Sequence, residues 1–346
     1  MIAGVIGHFG NGHKLLNGQT VKTKIVTDEL CRALGDSEVL RIDTHGGKKT
    51  LIKAPFQVIS ALKRCKNVII LPAHNGLRVY APLLAFFNKF FKRKLHYMVI
   101  GGWLPEFLQG RASLARCLGH FDGIYVETNT MKRALEDQGF DNVFVAQNCK
   151  RLDILKKSEL VYPTDTPYRL CTFSRVMREK GIEDAAHAVR AVNDRLGYTA
   201  FSLDIYGQID AGQTEWFETL SASFPDYIRY MGTVDADKSV SVLGVCFALL
   251  FPTRFYTEGI PGTIIDAYAA GLPVIAAKWE SYGDMVVEGK SGFGYELGNK
   301  DQLVSLLLHF AEHPDDLLEK KPNCLEEAEK YRPEAALAAL FERLES

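Results

Sequence analysis

Short apolar runs alternate with helix-like segments along the whole chain, and no other feature of the sequence restricts its fold so tightly. Runs without an in-out alternation suit strands covered on both faces, the parallel sheet flanked by helices. In the first half the strand candidates are 3–9, 38–43, 67–71, 97–101, 123–127 and 142–147. A second series follows at 169–173, 202–206, 228–231, 246–251, 274–277 and, more weakly, 293–296. Six strands make one doubly wound sheet, so the reading is α/β with two Rossmann-like domains facing a cleft. The first domain is placed at 1–150 and the second at 168–332, joined by a charged, proline-bearing linker at 151–167. The closing helical pattern at 333–346 is expected to pack back on the first domain.

A chain of 346 residues with 47% hydrophobic and 24% charged residues can bury two ordinary cores. No apolar run approaches the roughly 18 residues that span a bilayer, and the N-terminus lacks a signal-peptide pattern, so a cytoplasmic location is expected. Seven cysteines without a C-x-x-C pair suit reduced core thiols rather than disulfides or zinc. Net charge is divided: residues 1–160 hold 24 Lys/Arg against 13 Asp/Glu, and residues 161–346 hold 17 against 29. The basic first half calls for an anionic partner. Lys89, Lys92, Arg93 and Lys94 interleave with Phe86, Phe87, Phe90 and Phe91 on a helical stretch. Two readings stand, peripheral contact with the inner face of a membrane or a helix that seats its phenylalanines on its own sheet.

Glu258 and Asp266 bracket the segment Glu-Gly-Ile-Pro-Gly-Thr-Ile-Ile-Asp. Pro261 near the start and Gly271 past the end delimit a helix over 261–270 whose apolar surroundings would bury the Asp266 carboxylate. Gly259 and Gly262 let backbone amides approach a bound group at the positive helix end, where phosphate is favoured, with Glu258 above it. A sugar nucleotide suits that arrangement; local capping and ion pairing is the alternative reading. Arg175 and Lys180 follow the strand ending at Phe173 and can neutralise a diphosphate, or serve as ordinary surface charges.

Other patterns fall short. The run from Gly7 to Gly12 lacks dinucleotide-binding spacing, and Lys22 in the stretch from Asn17 to Thr23 is not beside a glycine as a phosphate loop requires. What remains is a glycine-rich connection, with Gly18, Gln19 and Thr20, leading to a helix over 21–34 and able to meet a ligand. Asp235-Ala236-Asp237 resembles a metal-binding D-x-D, but Asp237 is better placed to cap the helical stretch 238–243. His8, His74 and His96 lie near strand ends without one being privileged as a base.

Taken together, Ser174–Gly181 resembles a G-R-x-x-x-x-K-G segment, and Phe251–Val274 a P-[ST]-x-x-E-G-x-P-x-x-x-x-E-A-x-A-x-G-x-P-V block. With the strand-glycine element ending at Gly207, the G-x-V element at 230–234 and the asparagine at 148, the chain resembles the retaining GT-B glycosyltransferases of family four, glycosyltransferases group 1. The resemblance implies that Glu258 contacts donor-sugar hydroxyls, Asp266 the ribose, and Arg175 and Lys180 the diphosphate. Gly259, Ile260, Pro261, Gly262, Thr263 and Gly207 would line the donor. His74, Gly102 and Trp103 join Gly18, Gln19 and Thr20 as acceptor-side candidates.

The activity so implied is hexosyl transfer from a nucleoside-diphosphate sugar to a glycan or lipid-linked glycan, with retention. No metal or other cofactor and no nucleic-acid partner is expected. An epimerase of the same fold and a non-catalytic nucleotide-sugar-sensing subunit are the alternatives. Two departures stand out: the second acidic position is Asp266 rather than Glu, and Gly101-Gly102-Trp103 occupies the place of a histidine common after the fourth strand.

Overall fold

The computed structural model describes residues 1–10, 12–13, 18–46, 52–151, 153–255 and 258–345, the side chain of the last excepted. Asn11, Asn17 and Leu152, on which parts of the loop and linker readings fall, lie outside that set. The chain divides into two units, Met1–Lys150 with Pro333–Ser346, and Arg151–Arg332.

In the first unit the strands are β1 (Ala3–Gly7), β2 (Val39–Asp43), β3 (Asn67–Ile70), β4 (Lys94–Met98), β5 (Gly123–Val126) and β6 (Val143–Val145). They form one parallel sheet in the order β2-β1-β3-β4-β5-β6, with Val5 opposite both Arg41 and Ile69. Parallel pairing needs a crossover at every step, and the helices that supply the crossovers bury both faces. Helices Ala54–Arg64, His74–Phe91 and Ala112–Leu118 close over Ile6, Val68, Ile70, Leu95 and Tyr97 on one side. Helix Gly18–Leu34 covers Val5, Ile69 and Met98 on the other, joined by Leu337, Leu340 and Leu344 of the returning C-terminal segment. Asn67 Nδ2 donates to the Leu344 carbonyl at 3.4 Å, and the Arg343 guanidinium lies 3.4 Å from the centre of the Phe144 ring.

The second unit holds β7 (Tyr168–Phe173), β8 (Phe201–Tyr206), β9 (Ile228–Gly232), β10 (Ala248–Phe251), β11 (Val274–Ala277) and β12 (Gly292–Tyr295). Their order is β12-β11-β10-β7-β8-β9, again parallel throughout. Helices Ile182–Leu196 and Lys300–Glu312 cover one face, and helices Gly262–Ala269 and Lys321–Ala328 the other. Residues after Lys150 join this unit: Leu155 N–H donates to the Ala269 carbonyl at 2.9 Å.

All twelve expected strands are present, and the largest displacement is β4, which begins at Lys94 and ends before Gly101, whose φ of 80° leaves the extended region. The first helix starts one turn earlier than the sequence suggests, so Gly18, Gln19 and Thr20 are helical rather than part of the loop. Lys22 is buried, donating to Glu127 Oε1 at 2.5 Å and to the Val99 carbonyl at 3.1 Å, which makes it a structural ion pair. Among the described residues no helix is long and apolar enough to cross a membrane.

Candidate functional site

In the second sheet the chain runs from β7 outward to β8 on one side, while β10 pairs with β7 on the other. The carboxyl ends of β7 and β10 therefore flank the point where strand order reverses, the place where doubly wound sheets leave room for a ligand. Arg175 and Lys180 follow β7, and Glu258 with the helix Gly262–Ala269 follows β10.

The segment after β7 is held flat by pairing with the segment after β8. Val176 N–H donates to the Gln208 carbonyl at 2.9 Å, and Asp210 N–H to the Val176 carbonyl at 3.0 Å. The approach is closest at Gly207, φ 138°, where a Cβ would stand 1.8 Å from the Ser174 carbonyl oxygen. A turn at Arg178–Lys180 ends on Gly181, φ 71°, where a Cβ would meet the Pro252 carbonyl oxygen at 2.0 Å. Two glycines thus let three chain segments meet where no side chain fits.

Within that framework the Lys180 ammonium donates to the Glu258 carboxylate, both side chains being largely buried. Thr253 Oγ1 donates to the same Glu258 Oε1 at 3.1 Å, and the Phe255 amide donates to Thr253 Oγ1 at 3.2 Å. The ammonium also lies 5.7 Å from the centre of the Phe251 ring and 5.0 Å from that of Phe255, where ring faces favour a cation. Arg175 pairs with Asp210 at 3.5 Å and is half-exposed. Sequence reasoning missed a further group: Asp184 accepts from Arg254 Nη2 at 2.5 Å and pairs with Lys300 Nζ at 2.9 Å. The Arg254 amide donates to the Glu179 carbonyl at 2.7 Å, so the β10 loop is tied to the β7 loop through backbone as well.

The helix begins at Gly262 with Pro261 as its cap, one residue later than the spacing suggests. Thr263 Oγ1 donates to the Phe173 carbonyl, fastening the first turn to the end of β7. Ile260 and Asp266 are both buried, at 3% exposure. The Ile264 and Ile265 amides donate to the Pro261 carbonyl at 3.0 and 3.4 Å, and the Gly262 and Thr263 amides lie at the positive end of the helix.

In the first unit the candidates fall into two groups. His74 stacks on Trp103 with ring centres 3.8 Å apart, and Trp103 Nε1 donates to the Ile100 carbonyl at 2.7 Å, beside Gly102. Burial, then the neighbouring Arg78 and Arg111, hold the His74 pKa below its ordinary value. Thr20 Oγ1 lies 2.7 Å from His8 Nδ1, and His8 Nε2 lies 3.1 Å from His45 Nδ1. Gln19 Nε2 donates to the Leu71 carbonyl at 3.2 Å, and Gly18 opens the helix.

Asp237 caps no helix: the helical turn starts at Ser239 with Lys238 at its cap, and Lys238 turns back to Asp235 at 3.1 Å. The expected capping role fails because the helix begins one residue late. Among the described residues no three His, Cys, Asp or Glu side chains gather as metal ligands.

The glycosyl transferases group 1 family matches residues 167–313, the stretch that holds all of these second-unit groups. The amylovoran biosynthesis glycosyltransferase AmsK of Erwinia amylovora is 22% identical over 156 residues, 44% of this chain and 38% of that protein. The chain thus spans well under half the length of this curated relative. Among solved structures, Alr3699/HepE of Anabaena in complex with UDP aligns at a TM-score of 0.76 with 14% identity, each chain covered in full. Sucrose-phosphate synthase from Thermosynechococcus elongatus aligns at 0.74 with 14% identity over 99% of this chain and 98% of that one. Such identities speak for fold, and the fold is that of two six-stranded parallel sheets. Residues 167–313 therefore match the glycosyl transferases group 1 family, in a chain with the GT-B fold.

Proposed function

We propose that the protein transfers a hexose from a nucleoside-diphosphate sugar to a glycan or lipid-linked glycan, with retention at the anomeric carbon. The observation that carries this reading is the Lys180–Glu258 ion pair at the strand-order reversal of the second sheet. An arriving diphosphate competes for the ammonium and releases the carboxylate to accept hydrogen bonds from sugar hydroxyls. Arg175 adds a planar fork for the phosphates, and the helix start at Gly259, Ile260, Pro261, Gly262 and Thr263 lies along them. Asp266 is assigned the ribose and Gly207 the close backbone approach. In the transfer the bond from the anomeric carbon to the diphosphate oxygen breaks as an acceptor hydroxyl oxygen bonds to that carbon on the same face, the hydroxyl proton passing to the departing diphosphate oxygen, on which charge grows. Fixed cations lower the barrier by meeting that charge in place, without a metal. His74, Gly102, Trp103, Gly18, Gln19 and Thr20 are assigned to the acceptor side. UDP in the Alr3699/HepE complex supports a nucleotide ligand on this fold.

The test is a thermal-shift screen of nucleoside-diphosphate sugars, followed by transfer assays with the donor that raises the melting temperature most. The expected product keeps the donor's anomeric configuration by NMR. An inverted product overturns retention. An epimer formed from donor alone, or binding without turnover, overturns transfer in favour of an epimerase or a sensing subunit.

A further inference from the structure

The positive charge of the first unit is concentrated in one part of the chain. Residues 44–121 hold 13 Lys/Arg and a single acidic residue, Glu106, whereas the remainder of 1–160 holds 11 Lys/Arg and 12 Asp/Glu. The whole surplus therefore belongs to the stretch whose helices cover one face of the first sheet. Helices Ala54–Arg64 and His74–Phe91 lie side by side there. Tyr80 donates to Gln57 Oε1 at 2.6 Å, and Arg93 Nε donates to the Leu62 carbonyl at 3.1 Å.

The four phenylalanines at the end of helix His74–Phe91 divide evenly. Phe87 and Phe91 turn inward onto the core, while Phe86 and Phe90, one helical turn apart, are 56% and 75% exposed. Lys89 and Lys92 are exposed beside them, and the last turn of the adjacent helix contributes exposed Lys63 and Arg64 next to the Leu62–Arg93 tie. Phe56, on that adjacent helix, is 77% exposed as well. Exposed aromatic rings on a helix are unfavourable in water, and the charges carried by these two helices are all of one sign. A matching partner must offer apolar depth for the rings and negative charge for the lysines on one broad surface. The headgroup–acyl boundary of an anionic lipid layer supplies both to an amphipathic helix lying in its plane. A single nucleic-acid strand supplies charge and stacking faces but leaves rings on a convex helix only partly covered.

We infer that this face docks the protein on an anionic lipid surface, with Phe86 and Phe90 inserted and Lys89, Lys92, Lys63 and Arg64 on the lipid phosphates. The inference deepens the proposed function, because a lipid-linked acceptor is presented at such a surface; vesicle binding does not depend on that function.

The test is co-sedimentation of the full chain with phosphatidylcholine vesicles containing about one-third phosphatidylglycerol, against phosphatidylcholine alone, at low and high salt. Binding is expected only to the anionic vesicles and is expected to fall as salt screens the charges. Lys89→Gln with Lys92→Gln should weaken it about thirty-fold, the equivalent of ~1 kcal/mol per basic residue. Phe86→Ala with Phe90→Ala should weaken it at least ten-fold with an unchanged melting temperature. Absence of sedimentation at low salt overturns the inference, as does binding untouched by the phenylalanine pair. Self-association or single-strand RNA binding lost in that pair, without vesicle binding, also overturns it, in favour of that partner. Transfer to a water-soluble acceptor should be unchanged in all these variants, so failed docking and failed transferase function give different results.

Discussion

Lys180 and Glu258 stand 78 residues apart in sequence, yet each neutralises the other where both side chains are largely buried. Such a pair is poised: removing one partner leaves an uncompensated charge, and an anionic ligand can replace the carboxylate on the lysine. Glu258→Gln keeps the shape and removes the charge, and the expected outcome is a loss of ~100-fold or more in kcat/KM by steady-state transfer assay with the fold intact. A loss of only threefold would remove Glu258 from its assigned role. Arg175→Ala should reduce turnover by about two orders of magnitude, in line with other single stabilisers of transition-state charge. Because Arg175 rests on Asp210 at 3.5 Å, Asp210→Asn is the matched control, expected to change the rate far less. Residue types at this site were legible because glycine, proline and acid at fixed spacing imply a turn and a helix start. Asp184 was not, since nothing local marks an acid that reaches a residue 70 positions away.

At the scale of elements, the loop after β10 is longer than the pattern it resembles. That pattern has two residues between its Ser/Thr and Glu, whereas Arg254, Phe255, Tyr256 and Thr257 separate Thr253 from Glu258 here; Tyr256 and Thr257 lie outside the described residues. Extra length carries extra freedom, and the Asp184–Arg254 and Arg254–Glu179 contacts withdraw some of it. Asp184→Ala is expected to lower kcat about ten-fold while leaving donor KM nearly unchanged, with partial rescue by Asp184→Glu. Equal loss of kcat and melting temperature without rescue would assign Asp184 to stability alone. Gly207 sets the other limit, since any side chain there collides with the Ser174 carbonyl in a backbone region that strains L-residues. Gly207→Ala should cost roughly 2–3 kcal/mol by urea unfolding. Strand cores were readable from apolar runs, but their ends were not: β4 slid toward the N-terminus because half-buried Lys94 tolerates a strand entry by its alkyl chain.

For the molecule as a whole, the two parallel sheets were legible because strands covered on both faces read as nearly continuous apolar runs. Long-range closure was harder to read. His96 illustrates it, fully buried on β4 with Nδ1 3.0 Å from the Tyr125 hydroxyl and Nε2 3.2 Å from Asn67 Oδ1. Burial pushes its pKa down to about 4. An unfolded imidazole titrates near 6.5, so between about 6.5 and about 4 the unfolded chain holds more protons than the folded one. The contribution is complete above that window and is lost as pH falls through it, by on the order of 3 kcal/mol. Urea midpoints at neutral and mildly acid pH measure this, and a His96→Gln variant with the same acid slope would exonerate His96.

The returning segment has a practical corollary. A recombinant fragment cut at residue 150 would leave Leu337, Leu340 and Leu344 behind, uncovering the part of the Val5, Ile69 and Met98 face that helix Gly18–Leu34 does not reach. Such a truncation should precipitate on expression, whereas appending the final fourteen residues through a short artificial tether should restore solubility. The first lobe, in other words, is encoded in two instalments, and residues 333–346 must be made before that lobe can close.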